Sequence, residues 1–378
     1  MVNTSNYLLH QLDTLNKQQL QVSYQMSSGN EISSGSEDSL LFNNILTLES
    51  DINLYSNIET QIDQSMYFNS SSDTAVAEIK TQMEAINSEV LKALNDGIDE
   101  GSKTAIANNI ESMEETIFNM ANETANGEYV FAGSNSQTQP FVKNADGSID
   151  YVNDNDHKKV VVEKDTYRDQ GLNGFDLMYN TTDTAISGSN LEFKDGDVVL
   201  DSDGNEWKFV DHDGDGNIDN DRLYKNGDLS TTPMSVTSSG TPVVYTVTNT
   251  QAETLETKAN YFDVLNTIEN ALNGLDNDGN AISEDAAKDI LSTSLEEINK
   301  AYDSINAQHA KLGSINKSFE DSSVAISAKV TNLQIFQEET ASADLTEAAV
   351  KAQALEMTYT ALYSTISRVN SLSLVNHL

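Results

Sequence analysis

A seven-residue apolar repeat at each end of the chain limits the folds open to it. At the C-terminal end its members are Ala348, Ala352, Leu355, Tyr359, Leu362, Ile366 and Val369. At the N-terminal end the same alternation of four- and three-residue steps gives Leu8, Leu12, Leu15, Gln19, Val22 and Met26. Such narrow stripes are typical of coiled coils, because a helix on a globular core has a wider apolar face. We call these two sets the C-terminal and N-terminal seams and predict that they pair and form an assembly interface.

The charge of the chain excludes several classes of partner. A formal net charge of −39 disfavours nucleic acid, since phosphate binding requires clustered Lys and Arg. It disfavours an anionic membrane surface for the same reason. It also keeps a free subunit soluble. Self-assembly therefore has to bury apolar seams well enough to outweigh the repulsion between like-charged copies.

Three absences from the sequence limit its chemistry and its location in the cell further. The chain has no cysteine, which excludes disulfides and thiolate chemistry. No apolar run of about 18 residues is present, so membrane insertion is not expected. The N-terminal residues lack the basic and apolar regions of a cleaved secretory signal. The chain is thus expected in the cytoplasm, or outside the cell after export by a route that reads no such signal.

Composition divides the chain into helix, sheet and helix. The fold class predicted is mainly α, with a long antiparallel helical rod or coiled coil built from the N- and C-terminal segments and an inserted, outer, antiparallel β-rich domain. The predicted parts are a terminal coiled-coil pair (1–40 and 340–378), a helical rod (41–130 and 251–339) and the β-rich domain (131–250). Short isolated helices are marginal in water, so the terminal pair is expected to be largely disordered in a free subunit.

Periodicity and capping signals place the individual helices. After the first seam, helices are predicted over about 41–62, 73–94 and 103–124. Helix is expected to resume near Ala252, with one segment at Tyr261–Leu272. A helix of more than fifty residues is predicted to follow an N-cap at Ser283. Asp344 is predicted to cap the terminal helix, with Glu347 three residues later.

One loop in the β-rich region has the spacing of a calcium site. Oxygen-bearing side chains alternate along it, with glycine where a Ca²⁺ loop makes its sharp turn. The candidate ligands are Asp211, Asp213, Asp215, Asn217, Asp219 and Asp221. Arg222 stands where such a loop usually carries its bidentate acid. The other interpretation is an acidic hairpin turn in which Asp, Asn and Gly supply the bends.

Several segments resemble bacterial hook-associated protein 3, the hook–filament junction family within the flagellin-like superfamily. The resemblance is carried by 127–141, which contains Gly127, Tyr129, Phe131, Gly133 and a Pro-Phe pair. It continues in 160–162 followed by 173–176, and in 343–348 and 371–375. It covers roughly 1–180 and 250–378.

That resemblance implies a structural subunit of the bacterial flagellum. It would be exported without a cleaved signal peptide through the flagellar export apparatus, with the help of an export chaperone, and would act outside the cell. It would join the hook, through hook-associated protein 1, to the flagellin filament by coiled-coil self-assembly in a ring or helical layer. No cofactor is implied.

Two other functions fit parts of the sequence. The chain could be a flagellin that forms the filament itself. Alternatively, the β insertion could be a secreted Ca²⁺-binding adhesion module. An enzyme is not predicted, because no catalytic triad order, phosphate-binding loop or paired zinc ligands are present in the sequence.

Overall fold

A computed structural model describes residues 2–95, 97–145, 147–240, 243–277 and 279–375. The side chains of 2–5 and 369–375 lie outside the description. Contacts divide the chain into two compact units, Met1–Thr60 with Ser322–Leu378, and Gln61–Asp321. We call them the terminal unit and the central unit. Within the described residues, no helix is both long and apolar enough to cross a membrane.

Long helices occupy both ends of the described chain, and two shorter ones lie between them. The helices are α1 (Val2–Ser28), α2 (Ser39–Ala93), α3 (Glu100–Ala121), α4 (Gly174–Met178), α5 (Tyr261–Leu272), α6 (Glu284–Ala341) and α7 (Leu345–Val375). The predicted α5 is confirmed, and so is a helix of more than fifty residues, since α6 has 58. The Ser283 hydroxyl accepts a hydrogen bond from the Ala286 amide, as expected of an N-cap.

Strands lie between α3 and α5 and form one large sheet with three small hairpins. The hairpins are β1 (Thr124–Ala125) with β2 (Glu128–Tyr129), β3 (Phe141–Lys143) with β4 (Ile149–Tyr151), and β5 (Lys158–Glu163) with β6 (Thr166–Gln170). The sheet strands are β7 (Tyr179–Ala185), β8 (Asn190–Phe193), β9 (Val198–Asp201), β10 (Glu206–Val210), β11 (Asp219–Lys225), β12 (Met234–Ser239), β13 (Val244–Thr248) and β14 (Leu255–Asn260). Together with the terminal helices they confirm the predicted fold class.

The eight-stranded sheet is antiparallel and nearly closed. Its order is β7-β14-β9-β10-β11-β12-β13-β8. The two outer strands are consecutive in the chain, and the Glu192 amide on β8 donates to Asp183 on β7 at 2.8 Å. One face of the sheet encloses its own core, which includes Phe193, Tyr245 and the single tryptophan, Trp207. Trp207 is 4% exposed and so is part of this core.

Two boundaries differ from the sequence prediction. The two helices expected over 41–62 and 73–94 are one continuous helix, α2. The polar stretch between them is part of this helix, and its Ser72 and Thr74 hydroxyls donate to the carbonyls four residues earlier. Helix does not resume near Ala252, since Leu255–Asn260 is strand β14, which pairs with both β7 and β9. Burial at alternate residues of β14 provides that strand with a core-facing side.

In the central unit, α2 and α6 run antiparallel. The His309 ring lies 2.9 Å from an Asp73 carboxylate oxygen, and Asn87 donates to Asn299 at 2.9 Å. Between these contacts the Tyr302 hydroxyl donates to Glu84.

Candidate functional site

Helices α1 and α7 of the terminal unit pack against each other in antiparallel fashion. Midway along both helices the Tyr359 hydroxyl donates to the Asn16 side-chain oxygen. At one end of the pair the Glu31 amide donates to the Ala341 carbonyl at 2.7 Å, and the Ala343 amide to the Gly29 carbonyl at 2.8 Å. These backbone bonds align the turn after α1 with the turn between α6 and α7. The predicted pairing of the two ends is therefore present within one chain.

A cap at Asp344 separates α7 from α6. One Asp344 carboxylate oxygen accepts from the amides of Thr346 at 2.9 Å and Glu347 at 3.0 Å. A carboxylate here satisfies otherwise unpaired amides and interacts favourably with the positive end of the helix dipole. The cap predicted from the sequence is confirmed.

Burial along α7 follows the C-terminal seam. Ala348 and Leu362 are buried, at 2% and 8% exposure, and the seam positions between and after them, through Ile366, are half-buried. Apart from Ala349, the remaining described α7 side chains are exposed. Val369 lies outside the described side chains. The seven-residue repeat thus identified the face of α7 that meets α1.

Burial along α1 follows the N-terminal seam as far as Val22 and then changes phase. Leu8, Leu12 and Leu15 are half-buried and Val22 is buried, but Met26 is 51% exposed. Gln25 is buried instead, and its amide donates to the Glu31 carbonyl at 2.9 Å. Hydropathy did not indicate Gln25, since its role is to hold the turn that follows the helix. The one signal for Gln25 in the sequence was its spacing, since it lies three residues after Val22.

An open groove runs between α1 and α7. Gln19 and Met26 lie on its α1 side, and five α7 residues form the other side. Its lining is Gln19, Met26, Ala349, Ala352, Gln353, Glu356 and Tyr359. Met26 therefore remains beside the seam although it is not buried in it.

Each terminal helix also exposes large apolar side chains away from its seam. On α7, Val350 and Met357 are 62% and 69% exposed and lie two helical turns apart on one face. On α1, Leu9 and Leu20 are 60% and 72% exposed and lie three turns apart. We call these four residues the outer stripes.

The candidate calcium loop is the hairpin between β10 and β11. The six predicted ligands do not form a single cluster. Asp211, Asp213 and Asp215 bring carboxylate oxygens within 4.8 Å of one another, and His212 with Asp219 and Asp221 forms a second such group. Asp219 lies 2.7 Å from the His212 ring, so it faces away from the first group.

Backbone amides already occupy many of the oxygens in this hairpin. Asp211 accepts from Gly214 at 2.7 Å and from Gly216 at 2.8 Å, and these bonds lower its pKa. Asn217 donates to Asp215 through its own amide and side chain. The hairpin is thus ordered by turn chemistry, and Ca²⁺ binding at Asp211, Asp213 and Asp215 stays a prediction.

The segment 127–141 joins the helices to the strands. A Cβ at Gly133, where φ is +68°, would lie 2.5 Å from the Asp154 carbonyl, so only glycine fits. The Asp154 carboxylate in turn accepts from the Ser134 amide at 2.9 Å and from its hydroxyl at 2.7 Å. Phe131 and Phe141 are fully buried, the latter against Phe262 at 5.6 Å between ring centroids. The motif thus builds the base of the strand region.

Comparison with known proteins gives the following findings. Residues 2–136 match the bacterial flagellin N-terminal helical region. No curated protein sequence matches the chain. A crystal structure of flagellar hook-associated protein 3 from Legionella pneumophila is 14% identical, with a TM-score of 0.53 over 78% of this chain and 98% of that one.

Two further solved structures are similar to a comparable degree. One is a Vibrio parahaemolyticus protein described as a flagellar hook-associated protein, with 12% identity, a TM-score of 0.53 and coverage of 81% of this chain and 100% of that one. The other is Xanthomonas campestris FlgL, with 15% identity, a TM-score of 0.51 and coverage of 77% and 98%. The resemblance to hook-associated protein 3 is thus confirmed in the fold: the chain has the fold of these flagellar hook-associated proteins, and its residues 2–136 are similar to the bacterial flagellin N-terminal helical region.

Proposed function

We propose that this chain is the hook–filament junction subunit of a bacterial flagellum, joining the hook, through hook-associated protein 1, to flagellin. The observation that carries the proposal is the terminal unit. Its two helices satisfy one seam within the chain and leave a second set of apolar side chains, the outer stripes, uncovered. A subunit with one internal and one external apolar surface is suited to stack with copies of itself.

The marginal burial of the seams supports folding on assembly. Leu8, Leu12 and Leu15 remain half-buried in a single chain. Ordering a residue costs about 1–2 kcal/mol, which partial burial of one side chain per turn offsets poorly. Contacts with neighbouring copies would complete their burial. The expectation that 1–40 and 340–378 order only on assembly follows from this.

The partners follow from the same role. A structural subunit at this position acts outside the cell and reaches it through the flagellar export apparatus. Its neighbours are hook-associated protein 1 on one side, flagellin on the other, and further copies of itself within its layer.

Deletion of the gene in the source bacterium tests the proposal. A junction subunit is required for the filament to attach, so the expected phenotype is intact hooks without filaments, with flagellin monomers in the medium. Restoring the gene should restore filaments. Filaments of normal length on the deletion strain would contradict the proposal.

Copy number separates the junction role from a flagellin. Quantitative immunoblotting of purified hook–basal bodies with attached filaments should find few copies of this chain relative to the main filament protein. A copy number that rises in proportion to filament length would identify it as a flagellin instead.

A further inference from the structure

Two glutamates meet inside the packed helices of the central unit, far along the chain from the terminal seams. Glu114 on α3 is only 7% exposed, in line with the fully buried Ile110 and Ile117. Glu269 lies on α5, which packs on α3 through an edge-to-face contact between Phe118 and Phe262 at 6.4 Å. The two carboxyl groups lie close enough for each to act on the pKa of the other.

The surroundings of this pair supply too few donors for two carboxylates. One Glu269 oxygen is buried without a hydrogen-bond partner. Among the described residues, the cation that pairs with Glu114 is Lys143 on β3, whose ammonium is 3.6 Å from Glu114 while its side chain is 53% exposed. One long, half-solvated contact does not neutralise two buried negative charges. The exposed Glu111 on α3 adds a third negative charge to the same place.

A buried tyrosine faces the same group. The Tyr261 hydroxyl on α5 is fully buried and has no hydrogen-bond partner, and it is close enough to Glu114 for that charge to act on it. Burial raises the pKa of Tyr261, so the hydroxyl keeps its proton. The site therefore combines several acceptor oxygens with few donors.

Two carboxyl groups form a hydrogen bond with each other only when one of them carries a proton. We propose that Glu114 and Glu269 share a proton and so form a pH-sensitive contact that fastens α3 to α5. With the proton in place, the pair has one negative charge and an internal hydrogen bond. Loss of that proton leaves two buried carboxylates facing each other, which weakens the packing of the two helices.

The titration expected of such a pair agrees with the local electrostatics. Burial, then the charges of Glu114 and Glu111, raise the pKa of Glu269 to about 8. Burial also raises the pKa of Glu114. Because the folded chain holds the proton more tightly than the unfolded chain, stability is greatest below the ordinary Glu pKa of 4.5. It is lost as the pH rises from there to about 8.

Hydrogen exchange of the full chain tests the contact directly. Amides of Glu100–Ala121 and Tyr261–Leu272 should lose protection between pH 6 and pH 9, after correction for the intrinsic exchange rate. In Glu269→Gln, whose amide donates to Glu114 at any pH, protection should be independent of pH over that range. Glu115→Gln, which removes an exposed charge from the same helix, should behave like the unaltered chain. An equal loss of protection in Glu269→Gln would overturn the proposal.

A second measurement does not depend on the variants. Carbon-13 labelling of the glutamate carboxyls should show one group titrating near pH 8 in the unaltered chain. That resonance should be absent from Glu114→Gln and Glu269→Gln and present in Glu115→Gln. If every glutamate titrates in its ordinary range, the two carboxyl groups do not share a proton. The proposal is independent of the flagellar role.

Discussion

At the scale of single residues, Asp201 links three neighbouring strands of the large sheet, β9, β10 and β11. Its carboxylate is fully buried at the end of β9 and lies 2.8 Å from the Lys225 ammonium. It also accepts from the Asn205 amide at 2.9 Å and from the Trp207 indole at 3.4 Å. These donors hold the turn between β9 and β10 and the neighbouring strand β11 around one charge.

Replacing this carboxylate by an amide should destabilise the sheet. In Asp201→Asn, the side-chain nitrogen cannot accept from Trp207 or pair with Lys225, which leaves buried donors unsatisfied. The expected loss is about 2–3 kcal/mol of unfolding free energy. Urea unfolding followed by the fluorescence of Trp207 measures it. The exposed neighbour Asp203→Asn is the control and should change the unfolding free energy by less than about 0.5 kcal/mol.

The same site predicts the acid sensitivity of the sheet. The Lys225, Asn205 and Trp207 contacts outweigh burial and lower the pKa of Asp201 to about 2 from an ordinary 3.8. The carboxylate therefore contributes fully above pH 3.8, and its contribution is lost as the pH falls through about 2. In Asp201→Asn that acid-dependent part should be missing from the unfolding curve. An unchanged acid midpoint would show that other carboxylates control the transition.

Calcium at the β10–β11 hairpin is also a prediction at this scale. Three converging carboxylates offer the hard oxygen ligands that Ca²⁺ prefers. Calorimetric titration of the full chain should give saturable heat that is lost in Asp213→Asn with Asp215→Asn. Asp169→Asn, an exposed acid on β6, should titrate like the unaltered chain. If the unaltered chain gives no saturable heat, the hairpin is an acidic turn that does not bind Ca²⁺.

At the scale of elements, the sequence predicted those that periodicity or capping determines. The seams, the long α6 and the cap at Asp344 all depend on local spacing, and all are present. The continuity of α2 was missed because Ser70, Ser71 and Ser72 indicate a break by composition, whereas in the structure they are helical and the Ser71 and Ser72 hydroxyls donate to carbonyls four residues earlier. The strand β14 was missed because its place depends on pairing with β7 and β9. Such distant partners leave no signal in a local window.

The contents of the sites were predicted less well than the elements around them. Alternating acids correctly placed a turn at the β10–β11 hairpin, but the five carboxylates among its six ligand candidates separate into two groups. Gln25 had no signal beyond its spacing from Val22, and the pair of Glu114 with Glu269 had none, because their roles depend on which polar atoms tertiary packing buries together. The outer stripes were hidden by the stronger seams one or two positions away.

Leu362 allows the role of the seam to be tested at the level of the helix pair. It is 8% exposed where α7 faces α1, so Leu362→Asp would bury a carboxylate without a partner, at a cost of several kcal/mol. Incorporation into flagella, measured by immunoblotting of purified filaments, should be abolished. Trp207 fluorescence should be unchanged, since the sheet lies in the other unit.

A matched substitution on the exposed side of the same helix controls for charge. Thr360 is exposed on α7, and Thr360→Asp adds the same charge outside the seam. That variant should incorporate at close to the normal level. If both variants are incorporated equally well, the seam is not an assembly surface.

At the scale of the whole molecule, charge and apolar burial oppose each other. A chain with 60 acidic and 21 basic residues repels its own copies at every approach. The terminal helices, by contrast, present apolar stripes that gain free energy when covered. Which effect dominates depends on ionic strength. The screening length falls from about 30 Å at 0.01 M salt to about 8 Å at 0.15 M, while apolar burial does not require salt.

Self-association of the purified chain should therefore increase with salt. Light scattering of matched samples from about 0.01 M to about 0.5 M sodium chloride measures it, across the range in which the screening length falls below the width of a helix. Leu362→Asp should remain unassociated at every salt concentration, because screening removes repulsion but does not restore the seam. If association instead decreases with salt, ion pairs between copies hold the assembly together, and the outer stripes and seams are not its main contacts.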